Sequence, residues 1–576
     1  MKNKKRIAVL GGGPSGLFMF KRLVAADNPD IEITIFERKN KLGAGMPYSQ
    51  EGANDEHITN VSGNEIPLLV TTLADWIKTV AKDTLDKFHI DPKRFNEYKV
   101  LPRLLFGQYL AAQFDLLQQQ AKKTGIAYEV HYNSEVTDII DRPDQETVFV
   151  EIGGKDKLEF DHVIICTGHN WPKRYEGTVP NYFDSPYPPA KLGLKLNHAV
   201  AIKGSSLTAV DAIRTLSRHN GTFEKDNDSK LSYKLLEDSN DFKIVLHTRN
   251  GMLPAVRFHL EDSHLSNSSL LTKAEIASHI KDNDGFLSLD FVFERDFKLP
   301  IREKEPEFYE SIKGMRLEEF VAAMMDLRER LDPFQLLKAE YAEAEKSIKR
   351  KESVYWKEML GVLSFALNYP AKHLSAEDMQ RLQTSLSPLI SIVIAYIPQS
   401  SSEELIALNQ AGVLTLIPVG EDSEVQPETE GGAVYHYTDE HGIKQASYFE
   451  TYIDGVGQPH LTFEAFPFKS LIEQRTVSPA RLKFRSADEG CKALADGKDV
   501  WQDQNGDYYL KVSGITINDH FQVVDSYGAL NDRIYIMAVP YIGGYNPDYS
   551  GLDFSEEASA AIIKRLLPEN KISIAS

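Results

Sequence analysis

Gly11-x-Gly13-x-x-Gly16 interrupts an apolar run, Arg6 to Leu10, and opens a helical pattern, Leu17 to Val24. That order of residue types is chemistry for a pyrophosphate. The first glycine permits a tight turn, the second lets the backbone approach the phosphates, and the third lets helix pack on strand. Pro14 and Ser15 then fall in the first turn of the helix, whose unpaired N–H groups attract anions. A second strand pattern, Ile31 to Phe36, ends on Glu37 and Arg38, and Glu37 lies 21 residues beyond Gly16. The spacing matches the roughly 20 residues expected for an acid that holds the ribose of an adenine dinucleotide.

A second, looser copy follows. Ala199 to Lys203 reads as a strand, Gly204-Ser205-Ser206-Leu207-Thr208-Ala209 as its turn, and Val210 to Leu216 as its helix. Ser206 and Ala209 replace the second and third glycines. Gly204, Ser206 and Thr208 are therefore candidates for a nicotinamide nucleotide, against a retained fold element whose site has weakened. Arg249 ends the next strand pattern, Lys243 to Thr248. An arginine there suits the 2′-phosphate of NADPH better than the ribose hydroxyl of NADH, although a solvated loop arginine is the plain alternative.

Further candidates surround the first turn. Gly43-x-Gly45 with Tyr48 follows the ribose acid and lies at the mouth of the same cleft. Thr167 and Gly168 end the strand pattern His162 to Cys166, where the chain leaves the first sheet. Arg103, after Pro102 and at the head of a helical pattern, could pair with a phosphate or with adenine. Gly543, Gly544 and Tyr545 precede the last helical pattern, from about Ser555, and their backbone N–H groups are expected near the flavin pyrimidine. Cys166 reads as an inert core thiol, and no side chain stands out as a catalytic nucleophile or acid.

The elements that must position these groups set the fold class: α/β, two Rossmann-like dinucleotide-binding domains with a helical insertion. The expected layout is a first domain over 1–195 that binds FAD and a second over 196–445 that binds NADPH or NADH. The second would carry a helical insertion over about 260–387, and 446–576 would return to the FAD unit. A proline-rich link, Pro180 to Pro189, marks the first change of unit. Asn220 to Asp241 reads as a polar surface insertion, and Ser391 to Tyr396 as a strand.

Composition narrows the function classes. The 576 residues are 42% hydrophobic and 26% charged, an ordinary globular balance. A net charge of −19 argues against nucleic acid or an anionic membrane as partner. Two cysteines offer neither a disulfide framework nor a metal cluster, so a reducing cytoplasm and no metal are expected.

Taken together, Gly11 to Gly16, Gly43 to Ser49 with Ile58-Thr59-Asn60, Leu101 to Leu110, Leu207 to Asp211 and Thr248 to Pro254 resemble the bacterial FAD-NAD(P)-binding flavoprotein family, relatives of flavin-containing and N-hydroxylating monooxygenases. The resemblance adds Asn60 to the cofactor candidates. It implies an FAD-dependent oxidoreductase, most readily an NADPH-dependent monooxygenase that uses O₂ through a flavin C4a-hydroperoxide on a small amine or amino acid. The other readings are an NAD(P)H-dependent flavin oxidoreductase or oxidase without oxygen insertion, and a flavin-binding protein without turnover.

Overall fold

A computed structural model describes residues 4–169, 171–261, 270–368, 370–458, 460–547 and 551–568. Its first sheet has six strands in the order Gln522–Val524, Leu530–Ile536, His162–Ile165, Lys5–Leu10, Ile31–Phe36, Ala127–His131. All neighbours are parallel except the edge pair Gln522–Val524 and Leu530–Ile536. Ile7, Ala8, Val9 and Leu10 are fully buried, as expected for a parallel strand covered on both faces. Helix Pro14–Ala25 covers one face, and helix Arg103–Thr124 packs against it, stopping at left-handed Gly125. Val148 to Glu151 lies apart, in a three-stranded antiparallel sheet of Val136–Arg142, Thr147–Ile152 and Asp156–Phe160.

The second sheet is wholly parallel, in the order Tyr182–Phe183, Thr451–Asp454, Ala199–Lys203, Lys243–Thr248, Leu414–Pro418. It recruits strands from either side of the 196–445 stretch expected to hold that unit. The polar segment after Asn220 is a β-hairpin, Gly221–Lys225 with Leu231–Leu235.

Between Lys243–Thr248 and Leu414–Pro418 comes a run of helices from Lys273 to Gln410. Its starts are written in the sequence. Thr272 and Glu275 form a reciprocal capping box. Asp332 accepts from the N–H groups of Phe334 and Gln335, and Pro333 takes the first helical position. Ser391 to Tyr396 is a correction: its first half ends helix Ser387–Val393 and the rest turns out of it, so the run is not a strand. A short apolar run has no period that separates the two. Tertiary packing decides it here, burying Leu389 and Val393 while Ile390 and Ile394 face a cavity. The helices share one core with the first sheet, Leu360, Leu363 and Leu389 belonging to the same buried cluster as Ile7 and Leu10. The segment around Phe334, Leu337 and Ala344 and the last helix of the run, Gln399–Gln410 with Leu405 and Leu408, join the core of the second sheet instead.

Asp296 sits in a wide helical turn, Glu294–Lys298, and accepts from Leu271 N at 2.9 Å. Burial pushes its carboxyl up to about 7. Between pH 4 and 7 the unfolded chain has lost this proton and the folded chain keeps it, so stability falls as pH rises through that window. Asp296→Asn keeps an acceptor for Leu271. It is expected to raise the melting midpoint at pH 8, equivalent to roughly 2–4 kcal/mol, and to leave it unchanged at pH 4. Thermal melts at the two pH values check this.

Candidate functional site

Gly11 adopts φ +106°, and a Cβ there would come within 2.8 Å of the Cys166 carbonyl oxygen. A Cβ on Gly16 would lie 2.1 Å from the Gly11 carbonyl oxygen, so strand, turn and helix meet with no room for a side chain. Gly13 caps the helix with extended backbone, facing Gly45. The Glu37 carboxylate is buried at the end of its strand and accepts from Gly12 N at 2.8 Å and Lys39 N at 2.9 Å. These groups open onto a cavity of about 1290 Å³. Thr167 also lines it, and its hydroxyl is buried without a hydrogen-bond partner. A glycine cradle, a helix N-terminus, a ribose-type acid and an unused hydroxyl fit an adenine dinucleotide.

Gly11, Gly13, Pro14, Ser15, Glu37 and Arg38 all line this cavity, as do Gly45, Tyr48, Asn60, Thr167 and Gly168. Gly16 stands behind the turn. Tyr48 is held above its ordinary pKa by burial, opposed by the charge of Arg103.

Arg103 itself does not line the cavity. Its guanidinium pairs with Asp211 on the second unit's helix, Leu207–Asn220, and its Nε donates to the Ile58 carbonyl at 3.1 Å. Gly543, Gly544 and Tyr545 are also absent from the lining. A Cβ on Gly543 would overlap the His460 ring, Gly544 packs against Val512 and Ser513, and the Tyr545 hydroxyl donates to the Arg481 carbonyl at 2.9 Å. Helix Gly551–Leu566 reaches the cavity instead. Its first turns, with Leu552, Asp553 and Ser555, line the cavity, and Ser555 Oγ lies 3.3 Å from Ser15 Oγ. A helix N-terminus offers the partial positive charge that reduced flavin calls for.

In the second turn Gly204 adopts φ +92° and donates to the His247 carbonyl at 2.8 Å. The missing third glycine is offset from across the sheet. Ala209 packs against Gly455, where an added Cβ would lie 2.9 Å from the Ala209 methyl. Ser205 donates to the Met252 carbonyl at 2.6 Å, and Ser206 lies 3.5 Å from the Gly455 carbonyl. Gly204, Ser206 and Thr208 therefore sit on the second turn, outside the cavity, but Leu207 between them lines it. Arg249 is 59% exposed and 3.8 Å from Glu421, leaving its guanidinium available to an anion.

The far wall is the part that local patterns did not reveal. The middle helices contribute Ser364, Leu367, Leu382, Ile390 and Ile394, and Leu382 opens a second wide turn, Leu382–Leu386. Such turns recur at functional sites. Beside them stand Glu65, Tyr396 and Asp553. Behind Glu65, the buried Arg257 donates to both its carboxylate oxygens (2.6 and 2.9 Å) and lies 5.2 Å from the Tyr396 ring centroid. Burial and then the charge of Glu65 push the Tyr396 hydroxyl well above its ordinary range, so it stays a hydrogen-bond donor. The lining carries Arg38, Lys39, Lys41 and Lys87, but among the described residues no basic side chain comes from the segments that form this wall.

Two parallel nucleotide-type sheets, an intact turn on one and a relaxed turn on the other, and one cavity reached by both define a two-dinucleotide flavoprotein. Residues 8–170 match the family model described as FAD-NAD(P)-binding, and residues 272–394 match the YdhS-like middle domain. The chain is 28% identical to the protein YdhS of Escherichia coli over 483 residues, 82% of this chain and 86% of that one. It is also 28% identical to the trimethylamine monooxygenase of a Roseovarius species over 178 residues, 29% of this chain and 36% of that protein. Among solved structures it resembles FAD-bound DfoA, the cadaverine monooxygenase of Erwinia amylovora, with TM-score 0.47 and 11% identity over 97% and 94% of the two chains. The chain is an FAD-dependent NAD(P)H oxidoreductase whose FAD-NAD(P)-binding domain is related to those of the flavin-containing monooxygenases. Among the described residues no helix is long and apolar enough to cross a membrane, and no group of His, Cys, Asp or Glu side chains is placed to hold a metal.

Proposed function

We propose that this protein is a monooxygenase that takes electrons from NADPH and oxygenates a small amine. The observation that carries the reading is the single cavity, which runs from the intact first turn past Leu207 of the second turn to a wall built by the middle helices. FAD, when bound, supplies a two-electron store and the site at which O₂ is activated. The protein's own residues do the rest. Gly11 to Gly16 and Glu37 hold pyrophosphate and ribose, and the Thr167 hydroxyl supplies a donor to the same group. The N-terminus of helix Gly551–Leu566 stabilises negative charge at the flavin end. Leu367, Leu382, Ile390 and Ile394 keep water out. Two carboxylates, Glu65 and Asp553, face that compartment with the Tyr396 hydroxyl between their fields. Glu65 is already paired with Arg257, so Asp553 is the carboxylate that makes the compartment unfavourable to an anion, and the amine nitrogen that takes oxygen must be the neutral base, whose lone pair is free.

The test is anaerobic reduction of the holoenzyme with NADPH, followed by ¹⁸O₂ and an amine panel. Incorporation of ¹⁸O into an amine product supports the reading. Hydrogen peroxide equal to the NADPH consumed, with no ¹⁸O product, favours an oxidase, and a flavin that neither NADPH nor NADH bleaches favours a non-catalytic protein. The non-catalytic reading draws on one feature, the two serine hydroxyls of the second turn that are turned to backbone carbonyls rather than toward a nucleotide.

Arg249→Ala is expected to raise KM for NADPH about tenfold, the scale of one charge-assisted contact to a phosphate, with KM for NADH unchanged. Parallel steady-state titrations with the two nucleotides check this. An equal effect on both would remove Arg249 from the 2′-phosphate.

A further inference from the structure

Asp211 is nearly inaccessible, yet it is the hub of a polar network that joins the two nucleotide units. Its Oδ2 pairs with the Arg103 guanidinium and accepts from the Tyr187 hydroxyl at 2.6 Å. Its backbone carbonyl lies 3.1 Å from His57 Nε2, and Thr215, one turn along the same helix, donates to Glu56 at 2.7 Å and lies 3.2 Å from His57 Nε2. Arg103 is tied to the first unit through its N–H to the His57 carbonyl (2.8 Å) and its Nε to Ile58. Burial would raise the Asp211 carboxyl, but the Arg103 charge, followed by His57, holds it below the ordinary carboxylate range. Burial keeps His57 below its usual value. The pair is therefore charged and buried, with Asp211 Oδ2 shared between Arg103 and Tyr187.

Its two ends are each one step from the cavity. Leu104 and Gln108, beside Arg103 on its helix, line the cavity from the first unit. Leu207, one turn before Asp211, lines it from the second. Few contacts could set the second turn against the flavin more directly. A buried ion pair contributes little net stability compared with apolar packing, but it tolerates one geometry only.

We propose that Asp211, with Arg103 and Tyr187, is a positioning device that fixes the second nucleotide turn in register over the flavin, so that NAD(P)H is held for hydride delivery. This rests on the reading above that NAD(P)H reduces the flavin. Neither Asp211 nor Tyr187 lines the cavity; they act through the placement of Leu207 and its turn.

The experiment compares wild-type holoenzyme with Asp211→Asn and Tyr187→Phe. It reads the limiting rate of anaerobic flavin reduction, the affinity for NADP⁺, and amide hydrogen exchange of residues 54–62 and 207–216. Misplacement by about 1 Å costs up to a hundredfold in a positioned reaction. Asp211→Asn is thus expected to slow limiting reduction by about ten- to a hundredfold per bound flavin, with NADP⁺ affinity within about threefold. Exchange should rise in both segments and not elsewhere. Tyr187→Phe removes one hydrogen bond and keeps the ion pair, so it folds if Asp211→Asn does not. Its expected loss is about threefold, with the same exchange pattern. Reduction per bound flavin that stays at the wild-type rate in both variants, or exchange unchanged at 207–216, overturns the proposal and leaves a clamp without a positioning role. Failure of NADPH and NADH to bleach the wild-type flavin brings down the proposed function instead, and is seen before any variant is made.

Discussion

Gly16→Ala is expected to yield a protein that retains less than about a tenth of its FAD, because a strained or displaced turn loses its ligand as a unit. A methyl at this position would lie 2.1 Å from the Gly11 carbonyl oxygen. That oxygen is backbone, so it cannot rotate away; helix Pro14–Ala25 must lift from strand Lys5–Leu10. The lift is opposed by seven buried helix residues, Gly16 to Phe20 with Leu23 and Val24. Overpacking of this kind costs about 1–3 kcal/mol. The larger effect is on the ligand, since the helix N-terminus and the Gly11 to Ser15 turn no longer share one geometry. The ratio of flavin absorbance to protein, measured after gel filtration, reads the first effect, and a thermal melt of the apoprotein reads the second. Gly314→Ala, where an added Cβ meets nothing within 4 Å, controls for loss of glycine alone. Normal flavin content in Gly16→Ala would mean the turn is not the pyrophosphate site.

The contrast between Gly16 and Arg103 shows what could be read from sequence. The first unit is legible because strand, turn, helix and acid all fall within residues 5–37, and each residue type answers a local steric or electrostatic demand. Arg103 carries no such mark. Its partner lies 108 positions away on the other unit's helix, and only the docking of the units makes a phosphate contact superfluous. Gly543 and Gly544 look like a ligand loop, but their lack of side chains serves His460 and Val512. The acid and tyrosine of the far wall, Glu65 and Tyr396, come from segments more than 300 residues apart. Neither stands in a motif, and their meeting depends on helices whose apolar faces could have packed elsewhere. Leu207 was within reach, as the residue that follows a relaxed nucleotide turn.

The same non-local cluster gives the second large prediction. Arg257→Met is expected to destabilise the protein by about 3–5 kcal/mol, the usual cost of leaving one member of a buried pair behind. Arg257 is bound on every side: by both Glu65 oxygens, by Ser62 Oγ at 2.8 Å and by the Asn60 carbonyl. Its own backbone N–H donates to the Ile397 carbonyl at 2.9 Å. Methionine fills much of the volume but leaves Glu65 and the Asn60 carbonyl facing a vacated site. Glu65 still accepts from Ser62 N at 3.1 Å, which offsets a small part of the loss. The double variant Glu65→Gln with Arg257→Met removes both charges. Its destabilisation should therefore be smaller than that of Arg257→Met alone, a coupling that only a double-mutant cycle can read. Flavin content is the discriminating companion measurement. Arg257 lies behind the lining, so the folded fraction of Arg257→Met should keep its FAD while losing the ordered compartment around Asn60, Glu65 and Tyr396, and with it amine-stimulated NADPH consumption. Loss of FAD in step with loss of fold would instead place this cluster under the cofactor rather than beside the substrate.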